Sequence, residues 1–224
     1  MNTVRIWDLP TRLFHWTLAI CVVALIVTAK MGGDATNWHL RLGYAVLALL
    51  AFRLVWGLVG GHWSRFTSFF PTPWRLARYV RGRAGPEDSA GHTPLGALSV
   101  FALLAVLTAQ VATGLMADDE IAFAGPLAAR VSGDTVGLAT RWHTGWGQNL
   151  LLGLVALHLL AVVYYQLRRK NLVRAMLLGD KHLPHPVPAA RDSAGTRLLA
   201  LVLVGLAAGL AYWVAQLGNQ PMLG

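Results

Sequence analysis

The sequence predicts an all-α membrane protein, with a four-helix transmembrane bundle and a fifth, C-terminal transmembrane helix. Only 13% of the 224 residues are charged, and 55% are hydrophobic. A soluble domain carries about 25% charged residues. The deficit comes from five nearly uncharged runs, each close to the roughly 20 residues that cross a bilayer. The runs are residues 13–29, 40–59, 95–117, 142–167 and 198–217.

The distribution of positive charge predicts the topology. With a cytoplasmic N-terminus, the inner segments hold 14 of the 19 Lys and Arg residues and the outer segments hold four. Positive charge collects on the cytoplasmic side of membrane proteins, so we expect the N-terminus inside and the C-terminus outside. The basic excess then meets anionic lipid, and no nucleic-acid partner is expected. The inner segments are 1–12, 60–94 and 168–197, and the outer segments are 30–41, 118–141 and 218–224.

The segments between the runs are interpreted in chain order. Asp8 and the lack of an Ala-x-Ala site indicate that the first run is a transmembrane helix rather than a cleaved signal peptide. In the inner loop, Thr72 and Pro73 are typical of a helix start, and residues 74–80 are amphipathic, as expected of a helix in the membrane interface. We expect a core over residues 1–180, followed over residues 181–224 by a linker and an accessory helix.

Four histidines belong to the apolar runs, where ionisable residues are costly and usually functional. They are His15, His39, His143 and His158. Fifteen residues separate His143 from His158, which amounts to roughly 22 Å along an ideal helix and about 60° around it. The topology then places His39 at the depth of His143 and His15 at the depth of His158. The sequence therefore predicts two histidine pairs at two depths.

Two such pairs are what two b-type haems need as axial ligands. A low-spin haem without thioether bonds binds two neutral imidazoles, and its iron then suits electron transfer rather than oxygen binding. The single cysteine, Cys21, excludes a C-x-x-C-H haem attachment. A proton relay usually includes buried Asp or Glu, which these runs lack. Histidines that serve only packing stay an open alternative.

Arginines near the predicted haem depths are candidate partners for the haem propionates. A guanidinium pairs well with a carboxylate. Snorkelling to lipid phosphate is the alternative for each of them. The candidates are Arg12, Arg41, Arg53 and Arg141.

Four further histidines lie in the inner loops and are expected to be solvated. His62 and His92 are also open to a role at the edge of a quinone or partner site. The four are His62, His92, His182 and His185.

Eight short stretches between residues 4 and 180 carry a family resemblance. Two of them read Trp38-His-Leu-Arg-Leu-Gly-Tyr44 and Gly91-His-Thr-Pro-Leu-Gly96. Taken together and in order, they resemble the bacterial cytochrome b561 family, which includes the di-haem membrane subunits of nickel–iron hydrogenases. The stretches are residues 4–16, 38–44, 53–57, 65–69, 91–96, 113–115, 157–158 and 171–176.

The resemblance implies a four-helix core that binds two haem b groups through His15, His39, His143 and His158. It also implies a location in the bacterial inner membrane. The expected function is electron transfer between the quinone pool, as ubiquinone or menaquinone, and a periplasmic c-type cytochrome or hydrogenase-like protein. Oligomerisation is left open. The fifth helix is not required by the family.

Two alternatives to this function are kept. The first is an enzyme, a superoxide oxidase that reduces quinone, with Lys30, Arg41 and Arg141 drawing the anion to the outer haem. The second is a non-redox transporter or assembly subunit.

Overall fold

The structure is a computed structural model and describes residues 2–85, 87–121 and 123–218. Helices and one small sheet alternate along the chain as follows: β1 (Asn2–Arg5), α1 (Leu9–Met31), α2 (Ala35–Val59), a 3₁₀ turn (His62–Ser64), α3 (Phe66–Phe69), α4 (Pro73–Val80), α5 (Glu87–Ala90), α6 (Pro94–Gly114), a 3₁₀ turn (Ala128–Arg130), α7 (Gly133–Arg141), a π-helical turn (Trp142–Trp146), α8 (Gly147–Leu167), α9 (Leu172–Leu178), β2 (Asp180–Leu183) and α10 (Ala194–Leu217).

Five helical segments of the described residues are long and apolar enough to cross a membrane. Four are α1, α2, α6 and α10, and the fifth, Gly133–Leu167, combines α7, the π-helical turn and α8. The predicted all-α membrane class with five spans is confirmed. The boundary predicted at residue 180 between core and linker stays a prediction.

The largest difference from the predicted spans lies at the fourth of them. Residues 133–141 were expected in an outer loop, but they form α7 and continue into the span. Ser132 caps this helix, because its side chain accepts a hydrogen bond from the backbone N–H of Thr135. The two glycines and the aspartate in this segment led the sequence analysis to assign it to a loop. The N-cap Ser132 nevertheless starts a helix here, and the helix continues into the following span.

The short helix α4 matches its prediction. The Thr72 side chain accepts a hydrogen bond from the backbone N–H of Arg75 at 3.3 Å, and Pro73 occupies the first turn. Trp74 is exposed over 72% of its surface. An exposed indole beside arginines suits a helix in the membrane interface.

The sequence did not predict the two-stranded sheet. Strand β1 pairs with β2 in antiparallel register, with Asn2 opposite Leu183 and Arg5 opposite Asp180. The backbone N–H groups of Ile6 and Trp7 both donate to the carbonyl of Gly179. Gly179 has a φ of +91° at the end of α9, a conformation that glycine adopts without strain.

A small hydrophobic core lies beneath this sheet. Its buried members come from the N-terminal segment, the loop after α2, α5, α9 and the segment before α10, so regions far apart in the sequence are held together. They are Ile6, Trp7, Trp63, Ala90, Ala175 and Ala190.

The chain divides into two compact units, each assembled from three segments. The first, called the His15/His158 unit below, comprises Met1–His15, Arg53–Leu103 and Leu154–Val202. The second, called the His39/His143 unit, comprises Trp16–Phe52, Leu104–Gly153 and Leu203–Gly224. Each unit contains one of the two predicted histidine pairs.

Candidate functional site

The His15/His158 unit brings the rings of its two intramembrane histidines close together. His15 lies on α1 and His158 on α8, and their ring centroids are 6.4 Å apart with an angle of 50° between the ring planes. The two residues are 143 positions apart in the chain. The proximity predicted from depth is therefore present in the structure.

The His39/His143 unit contains the second pair. The centroids of these rings are 6.0 Å apart, and the planes are nearly perpendicular at 85°. His39 lies on α2, and His143 lies in the π-helical turn before α8. A π-helical turn inside an α-helix is rare and occurs often at functional sites.

The spacing of both pairs suits two imidazoles on one metal ion. A metal–imidazole nitrogen bond is about 2 Å long, so two rings on opposite sides of one ion have centroids about 6 Å apart. Both observed separations, 6.0 Å and 6.4 Å, fall near this value. The residues present therefore fit a haem iron with two axial histidines at each pair.

The hydrogen bonds of the His39/His143 pair also fit a metal ligand. Nδ1 of His39 lies 3.1 Å from the carbonyl oxygen of Leu25, and Nδ1 of His143 lies 2.8 Å from that of Gln110. A carbonyl only accepts hydrogen bonds, so each Nδ1 carries the proton. Each Nε2 then has a free lone pair, the form in which neutral imidazole binds iron.

Two residues of α6 fix the position of His143. The side chain of Gln110 donates from Nε2 to the backbone carbonyl of His143 at 2.6 Å, so side chain and backbone of Gln110 both bind His143. A Cβ added to Gly114 would lie 2.6 Å from Cε1 of the His143 ring. The sequence analysis missed both residues. The signal for Gln110 is an amide side chain in a long helix that has no charged residue.

Arg53 is buried in the His15/His158 unit. Its Nη1 donates to the carbonyl of Ser64 at 3.0 Å, and its guanidinium lies 4.6 Å from the ring centroid of Phe66 and 6.0 Å from that of Phe14. Burial excludes the alternative that Arg53 snorkels to lipid phosphate. Its pairing with a haem propionate stays a prediction.

The other three candidate arginines are more accessible. Arg12 is half-buried in the His15/His158 unit and donates to the carbonyl of Leu177. Arg41 and Arg141 are exposed in the His39/His143 unit, and the Arg41 guanidinium lies 5.2 Å from the ring centroid of Trp38. Their predicted roles at propionates also stay predictions.

A buried carboxylate, Asp8, organises the start of α1. It accepts hydrogen bonds from the backbone N–H of Thr11 at 2.8 Å and from the hydroxyl of Ser64 at 2.7 Å. The Thr11 hydroxyl in turn accepts from the indole of Trp56 at 3.2 Å. The positive charge of Arg53 is close enough to interact with Asp8. This network fixes the helix end that carries His15, and the sequence analysis did not identify it.

His92 differs from the solvated loop residue that was expected. Its ring lies between Trp7 and Phe69, with centroid distances of 4.7 Å and 4.4 Å. Burial lowers the pKa of His92 to about 3, and the positive charges of Arg53 and Lys181 add to the effect. The ring is therefore neutral at physiological pH.

The remaining loop histidines have simpler surroundings. His62 packs edge-on against Trp63 at 4.8 Å, His182 is exposed beside the hydroxyl of Thr3, and His185 is exposed. None of the contacts described for them involves the two histidine pairs.

Comparison with known proteins decides the family. The family model described as prokaryotic cytochrome b561 matches residues 6–179. The chain belongs to the prokaryotic cytochrome b561 family. The predicted family is thus confirmed, and the chain is a membrane b-type cytochrome with a helical bundle, which implies haem b.

Three relatives of this chain are each named "Probable Ni/Fe-hydrogenase B-type cytochrome subunit", with a number 1 after "hydrogenase" in one of them. One from Azotobacter vinelandii is 28% identical over 131 residues, covering 47% of this chain and 55% of the relative. One from Escherichia coli K12 is 23% identical over 136 residues, covering 49% and 57%. One from Cupriavidus necator is 24% identical over 215 residues, covering 80% and 87%.

The chain thus spans little more than half the length of the first two of these relatives. No solved structure matches it.

Proposed function

We propose that this b561 protein carries electrons across the bacterial inner membrane between the quinone pool and a periplasmic redox protein. The observation that carries the proposal is that the four intramembrane histidines form two close pairs, with ring centroids 6.4 Å and 6.0 Å apart. One pair needs a single metal group, and two pairs need two. The proposed cofactors are therefore two haem b groups, held by His15/His158 and His39/His143.

Haem b, when bound, would supply an iron that changes between ferric and ferrous states while the two histidines of its pair hold it. The protein's part is to hold that geometry through the change. Leu25 and Gln110 keep the rings of His39 and His143 in one tautomer through their backbone carbonyls. The Asp8 network fixes the end of α1 from which His15 projects.

The proposed orientation follows from the positive-inside rule. Arg12 and Arg53, which belong to the His15/His158 unit, are placed on the cytoplasmic side, and Arg41 and Arg141 on the periplasmic side. Contact with anionic lipid is part of the same proposal, since a basic inner surface attracts anionic headgroups.

The proposed redox partners are a quinone and a periplasmic redox protein. The relatives are named as cytochrome subunits of Ni/Fe-hydrogenases, which supports a hydrogenase-like partner. A c-type cytochrome is the other candidate. Ubiquinone and menaquinone both suit the proposal, because either accepts two electrons and two protons in the membrane.

Electron transfer across a sealed membrane tests the proposal. The purified protein is inserted into liposomes that trap cytochrome c, and dithionite is added outside as a reductant that crosses the bilayer poorly. We expect the trapped cytochrome c to be reduced in the presence of the wild-type protein and of a control variant, His185→Ala, which changes an exposed loop histidine. We expect His143→Ala to abolish the reduction.

The quinone part has a separate test. A water-soluble quinol analogue is mixed with the oxidised protein in detergent, and haem reduction is followed by absorbance. Reduction on mixing supports quinol as an electron donor, and oxidation of the reduced protein by the matching quinone supports quinone as an electron acceptor. The proposal is contradicted if wild-type protein with both haems passes no electrons into the liposomes, or if quinol and quinone leave the haem spectra unchanged.

A further inference from the structure

His92 has a buried hydrogen-bonding atom that the protein does not use. Its Nδ1 is buried and has no hydrogen-bond partner among the residues that the structure describes. The ring packs against Trp7 at 4.7 Å and against Phe69 at 4.4 Å between ring centroids. A buried polar atom without a partner is unfavourable. A bound molecule could therefore supply the hydrogen-bond partner that Nδ1 of His92 lacks.

The surroundings of His92 favour an anion as that partner. The Lys181 ammonium donates to the carbonyls of Ala90 at 2.8 Å and Gly91 at 3.2 Å, the two residues before His92. Burial lowers the pKa of Lys181 to about 8, with a further contribution from Lys170, so the group stays mostly protonated at pH 7. A carboxylate would gain from this positive charge, whereas a cation would be repelled.

Aromatic contacts link His92 to the surroundings of Arg53. Phe69 packs against Phe66 at 6.0 Å, and the Arg53 guanidinium lies over Phe66 at 4.6 Å. Electrostatic effects on His92 also come from His15 and His158. All these residues belong to the His15/His158 unit. The hydrogen-bonding atom without a partner therefore lies in the same compact unit as the pair to which a haem is assigned.

We propose that His92 donates a hydrogen bond from Nδ1 to a propionate carboxylate of the haem held by His15 and His158, with Lys181 and Arg53 supplying the balancing positive charge. The inference rests on the proposed function, because it needs haem at this pair. It adds a residue outside the apolar spans to the haem site. It also explains why a loop histidine is held between two aromatic rings instead of facing solvent.

A redox titration of both haems tests this inference. His92→Phe keeps an aromatic ring between Trp7 and Phe69 but removes the donor. Loss of that hydrogen bond leaves more negative charge on the propionate, which favours ferric iron. At a fixed ambient potential we expect a several-fold lower ratio of ferrous to ferric iron at the His15/His158 haem, and no change at the His39/His143 haem.

Two further variants control the titration. His92→Gln keeps an N–H donor and is expected to retain most of the wild-type ratio. His62→Phe removes a loop histidine that also contacts a tryptophan, and is expected to change neither haem. If His92→Phe cannot be purified in folded form, the comparison of His92→Gln with His92→Leu replaces it.

The inference is overturned if the donor-free variants bind two haems and both titrate as in the wild type. If the titrations stay the same but the apparent affinity for quinol falls, the hydrogen-bond acceptor is a quinone oxygen and the propionate assignment is wrong. Neither result affects the proposed function. Failure of the wild-type protein to bind two haems would instead contradict the proposed function itself.

Discussion

In the His39/His143 unit both rings donate from Nδ1 to helix carbonyls, whereas the His15/His158 unit places charged side chains beside its pair. The first arrangement relies on Leu25 and Gln110 through their backbones. The second includes the buried cation Arg53 and the partly buried cation Lys181. Backbone carbonyls therefore orient the His39/His143 pair, whereas charged side chains set the electrostatic potential in the unit of the His15/His158 pair.

This difference predicts different redox properties for the two proposed haems. Donation from Nδ1 to a carbonyl makes an imidazole a stronger donor to iron and favours the ferric state. A nearby positive charge favours the ferrous state, because that state carries less positive charge. We expect the His15/His158 haem to have the higher midpoint potential. Spectroelectrochemical titration with resolved haem bands measures this order.

The largest difference between the two pairs is expected when a single methyl group is added at Gly114. In Gly114→Ala the new Cβ would lie 2.6 Å from Cε1 of His143, closer than two carbon atoms approach without a clash. We expect loss of the haem assigned to His39/His143 and retention of the other, measured by the reduced-minus-oxidised spectrum.

The matched control is Gly205→Ala in α10, where an added Cβ meets no atom within 4 Å. This variant is expected to keep both haems. Gly114→Ala with an unchanged spectrum would show that the described position of His143 is not the one that binds haem.

A large effect confined to the other unit is expected of Asp8→Ala. The change removes the helix cap at Thr11 and the acceptor of the Ser64 hydroxyl, and it leaves Arg53 without the carboxylate nearby. We expect a loss of about 2–4 kcal/mol in unfolding free energy. Thermal unfolding in detergent checks this. A melting temperature equal to that of the wild type would contradict the structural role of Asp8.

A smaller change at the His39/His143 pair is expected of Gln110→Leu. Leucine fills a similar volume but cannot donate to the carbonyl of His143, so the pair loses one hydrogen bond worth about 1 kcal/mol. We expect both haems to bind, with a shifted midpoint potential only for the His39/His143 haem. Thr113→Val is the control, since its hydroxyl bonds within α6. A shift at the other haem instead would reverse the assignment of the two centres.

The smallest expected effect concerns the charges beside the sheet. Hydrogen bonding from Arg197 holds the pKa of Asp192 below its usual value, and Arg5 contributes to the same effect. The carboxylate therefore stabilises the folded state above about pH 4, and this contribution is lost as the pH falls through and below that value.

Melting temperatures measured across this pH range check the effect. Asp192→Asn is expected to melt lower than the wild type at neutral pH and to approach it in acid. A constant difference over the whole range would contradict the ionic origin of the contribution.

The sequence was sufficient to predict those features that depend on composition or local spacing. The five spans follow from missing charge, and the start of α4 follows from Thr72 and Pro73. The proximity of His15 to His158 and of His39 to His143 follows from equal depth in the membrane. In each case a single physical constraint determines the feature: either the local conformation of a short segment or the thickness of the bilayer.

The features that the sequence analysis missed depend on contacts between distant segments. The β1–β2 sheet pairs Arg5 with Asp180 through backbone groups, which have no signature in residue type. The π-helical turn at His143 is accompanied by a hydrogen bond from Gln110 in another helix. The burial of His92 requires Trp7 and Phe69 from two other segments. None of these contacts leaves a periodic pattern.

The central claim, two haems on two histidine pairs, is tested most directly by haem content per chain. Pyridine haemochrome assays and reduced-minus-oxidised spectra are recorded for the purified wild type, His15→Ala, His143→Ala and the exposed control His185→Ala. The account predicts two haem b groups per chain in the wild type and the control, and one in each of the other variants, with different remaining bands. Two haems in both His15→Ala and His143→Ala, or a single haem in the wild type, would contradict it.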